Sequence, residues 1–196
     1  MHAIARLRSL LSAYREAHPS ERETVLGFER LLDRGGAIFS RSNFNPGHLT
    51  ASALIVDHEQ RRLGLIRHKK IGLWLQPGGH FEVATPDRGG EFEEPIEAAL
   101  REAREETGLH TLKPWGEALF DIDIHTIAAH ANEPAHLHHD LRFVFTSEAG
   151  AQIVIEQREV SDFAFVDFDQ ILDGRFMGET DASVRRAARK LREAFR

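Results

Sequence analysis

"QPGGHFE" at Gln76–Glu82 and "REAREETGL" at Arg101–Leu109 decide how this chain is read. Pro95 suits the first turn of a helix, and Gly108 followed by Leu109 suits its left-handed end with an apolar contact beyond. A helix over about 94–107 is therefore expected, with Ala98, Ala99, Leu100 and Ala103 as its packing surface. Glu102, Glu105 and Glu106 stand three and four apart, so they share a face and repel one another. Taken alone, this is a solvated helix laced with Glu97–Arg101 and Arg101–Glu105 pairs, each worth about 0.2–0.5 kcal/mol. The glycine pair changes the weighing. Gly78 and Gly79 allow turn conformations and close backbone approach to a ligand. Backbone and carboxylate oxygens together are what a hard dication such as Mg2+ takes, its other positions going to water and phosphate oxygens.

Outward from these stretches the pattern is α+β. Ile4, Leu7, Leu10, Leu11 and Tyr14 recur at helical spacing, and so do Val25, Leu26, Phe28, Leu31 and Leu32 after a capping-box candidate, Ser20 with Glu23. Residues 1–45 thus read as a two-helix extension whose apolar faces cover either the main domain or a second copy of the chain, a homodimer. After the turn-rich "RSNFNPGH", residues 46–196 read as one domain. "LTASALIVD" and "RLGLIRHK" form a hairpin, and "LWLQPGG" ends a short strand on glycines. Strands are expected again at "ALFDIDIHTIAA", "HLHHDLRFVFTSE", "AQIVI" and "DFAFVDF", and a terminal helix at "DASVRRAARKLREAF". Mostly antiparallel strands with one central and one terminal helix make a sandwich-like α+β domain.

Composition narrows the function. The net charge of -6 disfavours a general nucleic-acid binder. No cysteine is present, which excludes disulfides, thiolate metal sites and thiol catalysis. The N-terminal stretch has no signal-type apolar core, and no run approaches the roughly 18 apolar residues of a membrane span. A soluble, cytoplasmic protein without membrane partners is expected.

The two opening stretches resemble the Nudix box, G-x5-E-x7-R-E-U-x-E-E-x-G-U with U a bulky aliphatic. Gly79, Glu93, Arg101, Glu102, Ala103, Glu105, Glu106, Gly108 and Leu109 fall on its fixed positions. Thirteen residues instead of five separate Gly79 from Glu93, an insertion of about eight within "VATPDRGGEF", and Ala103 stands where a larger aliphatic is usual. The resemblance implies a Nudix-type α/β/α sandwich with a mixed sheet. It also implies hydrolysis of a diphosphate bond in a small nucleoside diphosphate compound (a nucleoside triphosphate, a nucleotide sugar or an ADP-ribose-like molecule), with Mg2+ or Mn2+ as cofactor. By the same resemblance Glu105, Glu106 and the Gly78 carbonyl hold metal, Glu102 completes that shell or helps activate water, and Arg101 orients the glutamates. A further glutamate from a loop before the last strand is Glu159, with Glu156 as rival. Other functions on this fold are RNA 5'-end pyrophosphate removal and a non-catalytic nucleotide-binding module. Isoprenoid diphosphate isomerisation relies in its familiar form on a cysteine this chain lacks.

The remaining polar clusters have competing readings. His125, His130, His136, His138 and His139 crowd one segment, and alternation puts His136, His138, Asp140 and Arg142 on one strand face. That face either recognises substrate phosphate, with His138 and Arg142 as ligands, or is solvated, or holds a second, transition metal. His80 either touches phosphate or closes its turn. Lys69, between His68 and Lys70, either holds phosphate or ends a strand in solvent. Trp74 is expected in the core in preference to a base-stacking role.

Overall fold

The computed structural model describes residues 2–35, 37–57, 59, 61–83, 92–130, 132–148 and 151–196. Most of the expected box insertion, residues 84–91, lies outside these. The helices are α1 (His2–Ala17), α2 (Arg22–Arg34), α3 (Pro95–Thr107), α4 (Phe168–Asp173) and α5 (Ala182–Ala194). The strands are β1 (Gly47–Asp57), β2 (Arg62–His68), β3 (Trp74–Leu75), β4 (Gly78–His80), β5 (Lys113–Pro114), β6 (Asp121–Ile127), β7 (His136–Thr146) and β8 (Val160–Asp167). The chain divides into two compact units, one of Met1–Ala51, Gly79–Ala98 and Glu117–Phe143, the other of Ser52–Gly78, Ala99–Gly116 and Val144–Arg196. Among the described residues no helix is long and apolar enough to cross a membrane.

In the first unit α1 and α2 pack together through Leu7, Leu11, Tyr14, Val25, Phe28, Leu31 and Leu32, all buried. The expected capping box does not form. Pro19 opens a 3-10 turn over Pro19–Glu21, the Tyr14 hydroxyl donates to Glu21 Oε2 at 2.6 Å, and α2 starts behind Glu21 with no side-chain cap. Helix α2 lies on β6. A Cβ on Gly27 would stand 2.4 Å from Ile124, and Phe28 meets His139 edge-on with ring centroids 5.3 Å apart.

β6 and β7 are antiparallel, with Asp121 opposite Arg142, Asp123 opposite Asp140 and His125 opposite His138. Period-two alternation therefore sorts the pair into two faces. Ile122, Ile124, Leu141 and His139 turn to the α2 side. Asp121, Asp123, His125, His136, His138, Asp140 and Arg142 turn to the other, where Thr50 of β1 donates to Asp140 at 3.1 Å. Leu137 N donates to Pro46 O at 2.8 Å. Gly47, with φ +156, is required at this approach, because a Cβ there would fall 1.7 Å from the Leu137 carbonyl oxygen.

In the second unit the strand order is β3-β2-β1-β7-β5, and β8 adds to β2 with Gly64 opposite Phe165. Ser147 N donates to Val56 O, with the same offset as Leu137 to Pro46, so β1 and β7 run parallel while β1–β2, β2–β8 and β6–β7 are antiparallel. The sheet is mixed, as expected. Asp181 caps α5 by accepting from Val184 N at 2.8 Å, and α5 buries Val184, Ala187, Ala188 and Leu191.

Three further expectations are corrected. The glycine pair starts the short strand β4 and does not merely end β3. Phe168 begins the helix α4 and does not close the preceding strand. The segment "AQIVI" is not a strand. Val154 N donates to Thr107 O at 2.8 Å, so this stretch satisfies carbonyls at the end of α3 in place of a sheet neighbour.

Candidate active site

The residues of the acidic face of α3, Glu102, Glu105 and Glu106, belong to the second unit. The end of α3 is fixed by Gly108, whose φ is +70 and where a Cβ would stand 2.8 Å from Val154. Glu106 is 7% exposed, and its Oε2 accepts from Gly78 N at 2.9 Å. Its pKa is pushed up to about 8, first by burial and then by repulsion from Glu102, Glu159 and Glu105, with the Gly78 amide opposing. Arg101 donates to Glu102 at 3.0 Å and to Glu105 at 3.1 Å, so one guanidinium holds both carboxylates in place. Glu102 is mostly buried, whereas Glu105 reaches solvent.

The turn that brings Glu159 here is tied to the helix. Glu156 N donates to Glu106 O at 3.1 Å, and Lys69 N donates to Glu159 O at 2.8 Å. Glu156 turns its carboxylate inward on its own turn, accepting from the amides of Arg158 and Glu159 and from Arg158 Nε. That leaves the exposed Glu159 carboxylate as the one of the two that acts on Glu106. The Lys69 ammonium donates to the Gln157 carbonyl and so helps anchor this turn. His68 is held below the ordinary imidazole range by burial, with Glu159 opposing, and is no cation at neutral pH. Lys69 is thus engaged with the backbone of this turn. Trp74 sets its ring against Phe176, centroids 5.6 Å apart, and is half-buried.

His80, His138 and Arg142 belong to the first unit. Arg142, expected at a phosphate, is 1% exposed and donates to Asp140 at 2.8 Å and Asp121 at 3.1 Å, with Asp123 at 3.5 Å. These carboxylates raise its pKa further despite burial, which acts in the opposite direction. Its guanidinium faces carboxylates of the fold, with no surface left for a ligand. His138 and His80 instead meet His48, at ring-centroid distances of 4.7 and 5.0 Å. Burial, followed by the neighbouring rings, brings the His138 pKa down to about 2. His48 escaped the sequence reading because it stands apart from the histidine-rich segment. The available signal was alternation, since His48, Thr50 and Ser52 are the polar residues on every second position of β1.

A Gly-led short strand, an acidic helix with a buried glutamate and a mixed sheet define the class. The sequence model of the NUDIX domain matches residues 46–187. The chain belongs to the NUDIX domain family and is a hydrolase of α+β Nudix fold. It is similar to the "Probable DHNTP pyrophosphohydrolase" of Lactococcus lactis subsp. cremoris (strain MG1363), 31% identical over 143 residues, covering 71% of this chain and 78% of that relative. Among solved structures it is similar to a NUDIX-family hydrolase from Clostridium perfringens, with 25% identity, 75% of this chain and 97% of that one covered, and a TM-score of 0.52. An Ap4A hydrolase from C. elegans, 14% identical with 74% and 96% covered and a TM-score of 0.51, shares the fold.

Proposed function

We propose that this chain is a divalent-metal-dependent pyrophosphohydrolase, cleaving a diphosphate bond in a small phosphorylated compound. The observation that carries this is Glu106, a carboxylate buried beside three others. Such crowding disfavours ionisation in the bare protein and is relieved by a cation. The donor set fits a hard ion, because every side chain in it offers oxygen. Glu102, Glu105 and Glu106, with the Gly78 carbonyl, would hold Mg2+ or Mn2+. Bound there, the ion would supply charge neutralisation for the diphosphate oxygens and lower the pKa of water.

The chain's own residues account for the rest. The Gly78 amide fixes the Glu106 carboxylate, and Arg101 aligns Glu102 with Glu105, so neither needs to reorganise when substrate arrives. Glu159 accepts the proton of the attacking water as the water oxygen bonds to phosphorus and the bridging P–O bond breaks. Glu156 and Lys69 position Glu159 through its turn. Residues 46–196 form the hydrolase domain, and residues 1–45 a helical extension packed on β6. The named activity of the Lactococcus relative makes DHNTP the first substrate to try, ahead of nucleoside triphosphates, nucleotide sugars and ADP-ribose.

Product release from these compounds and from 5'-triphosphorylated RNA, with Mg2+ and Mn2+, tests the proposal. A small-molecule substrate is expected, with kcat in Glu159→Gln reduced about 100-fold or more, the range for a positioned general base, and Glu156→Gln reduced less than about tenfold. The reverse order of the two variants would move the base to Glu156. Hydrolysis of the RNA alone would overturn the substrate class.

A further inference from the structure

The first unit holds a second set of ligating side chains that includes none of the carboxylates on the acidic face of α3. One ring nitrogen from each of His48, His136 and His138 lies within 4.8 Å of the other two. His48 comes from the start of β1, and His136 and His138 come from alternate positions on β7, so all three project onto one sheet face. His48 is 0% and His136 5% exposed.

The hydrogen bonds of the two buried rings identify their tautomers. His48 Nδ1 lies 3.0 Å from the Asn43 carbonyl oxygen, and His136 Nδ1 lies 2.8 Å from that of Pro134. A carbonyl oxygen only accepts, so each Nδ1 carries a proton, and in the neutral ring each Nε2 then presents a lone pair. His48 Nε2 is buried and has no hydrogen-bond partner among the described residues. A buried acceptor left in that state is costly, and native proteins avoid it. One ring nitrogen bound to a backbone carbonyl and the other free is the arrangement that orients metal-ligating histidines. The polar surroundings continue outward, with His125 Nδ1 3.0 Å from Asp123 Oδ2 and its ring 5.5 Å from that of His138.

We propose that His48, His136 and His138 bind a transition-metal dication, Zn2+ in particular. Imidazole nitrogen suits zinc and the later first-row metals, whereas Mg2+ prefers oxygen. Three histidines and a water make a complete tetrahedral zinc shell. The ion ties the first residues of β1 to β7. This proposal stands independently of the hydrolytic reading, because it uses none of its residues.

The test is Zn2+ titration of the EDTA-stripped full chain in excess Mg2+, against a chromophoric chelator, with Co2+ absorption reporting geometry. Wild type and Glu106→Gln are expected to bind one equivalent of zinc and to give a tetrahedral Co2+ spectrum. His136→Gln and His138→Gln are expected to bind about 100-fold more weakly or worse, a loss at least as large as that from an outer-shell change. Zinc binding that survives both histidine substitutions, or that is absent from folded wild type, overturns the site. Should a histidine variant fail to fold by circular dichroism, X-ray absorption of zinc-loaded Glu106→Gln decides the question. Imidazole scattering supports the site, and a shell of oxygen alone refutes it.

Discussion

Glu106→Gln is expected to lower kcat by about 100-fold or more while leaving the fold intact, an effect of the size seen when one preorganised electrostatic contact is removed from an active site. The amide keeps an acceptor for Gly78 N but carries no charge, so the packing survives and the cation-binding function does not. A stability measurement separates these two consequences. In the metal-free protein the Glu106 pKa is raised to about 8, whereas in the unfolded chain it returns to its ordinary value near 4.5. Between those values the folded state holds a proton that the unfolded state has released, so stability falls as pH rises. The stability is fully present below about 4.5 and lost by the time pH has passed about 8. EDTA-stripped wild type should therefore lose more stability than Glu106→Gln between pH 6 and pH 8.5. Parallel denaturation curves for the two proteins across that range would remove the basis for treating Glu106 as a buried, cation-seeking carboxylate.

Arg142→Gln is expected to destabilise the protein by about 3–5 kcal/mol, the usual cost of removing one partner from a buried ion network. Asp121 and Asp140 are 0% and 2% exposed and share this guanidinium, which Asp123 also approaches. Without it the carboxylates are left buried with their principal cation removed. Glutamine can replace some hydrogen bonds but no charge. Urea denaturation at pH 7 should show a lower midpoint with an unchanged slope. A loss below about 1 kcal/mol, the range of exposed pairs, would mean that water screens this network in solution.

Local and periodic signals made much of the molecule legible. The acidic helix was bounded by Pro95 and Gly108, and the observed α3 runs Pro95–Thr107. Alternation in "HLHHDLRF" correctly put His136, His138, Asp140 and Arg142 on one face of β7, but it could not say that this face meets Asp121 and Asp123. That depends on the register with β6, and it turns Arg142 from an expected phosphate ligand into a buried ion. "AQIVI" has strand composition, yet the amides of its Val154 and of the following Glu156 are taken by the carbonyls of Thr107 and Glu106, a tertiary contact that no local pattern encodes. The same contact draws the turn of Glu156 and Glu159 to the helix and gives the two glutamates different surroundings. The capping box failed for a nearby reason, since Pro19 and the Tyr14–Glu21 bond favoured a 3-10 turn over the Ser20 cap.

Hydrolysis at this site requires that the carboxylates around Glu106 hold a divalent ion. The most direct test is Mn2+ titration of EDTA-stripped protein, followed by loss of the free-ion electron paramagnetic resonance signal, in wild type and Glu106→Gln between pH 6 and pH 9. Because the ligating carboxylate must be ionised, wild-type affinity should rise with pH and level off above about 8, where Glu106 has lost its proton. The variant should bind far more weakly and without that rise. Equal affinity in the two proteins, with the same dependence on pH, would show that Glu106 does not ligate the ion.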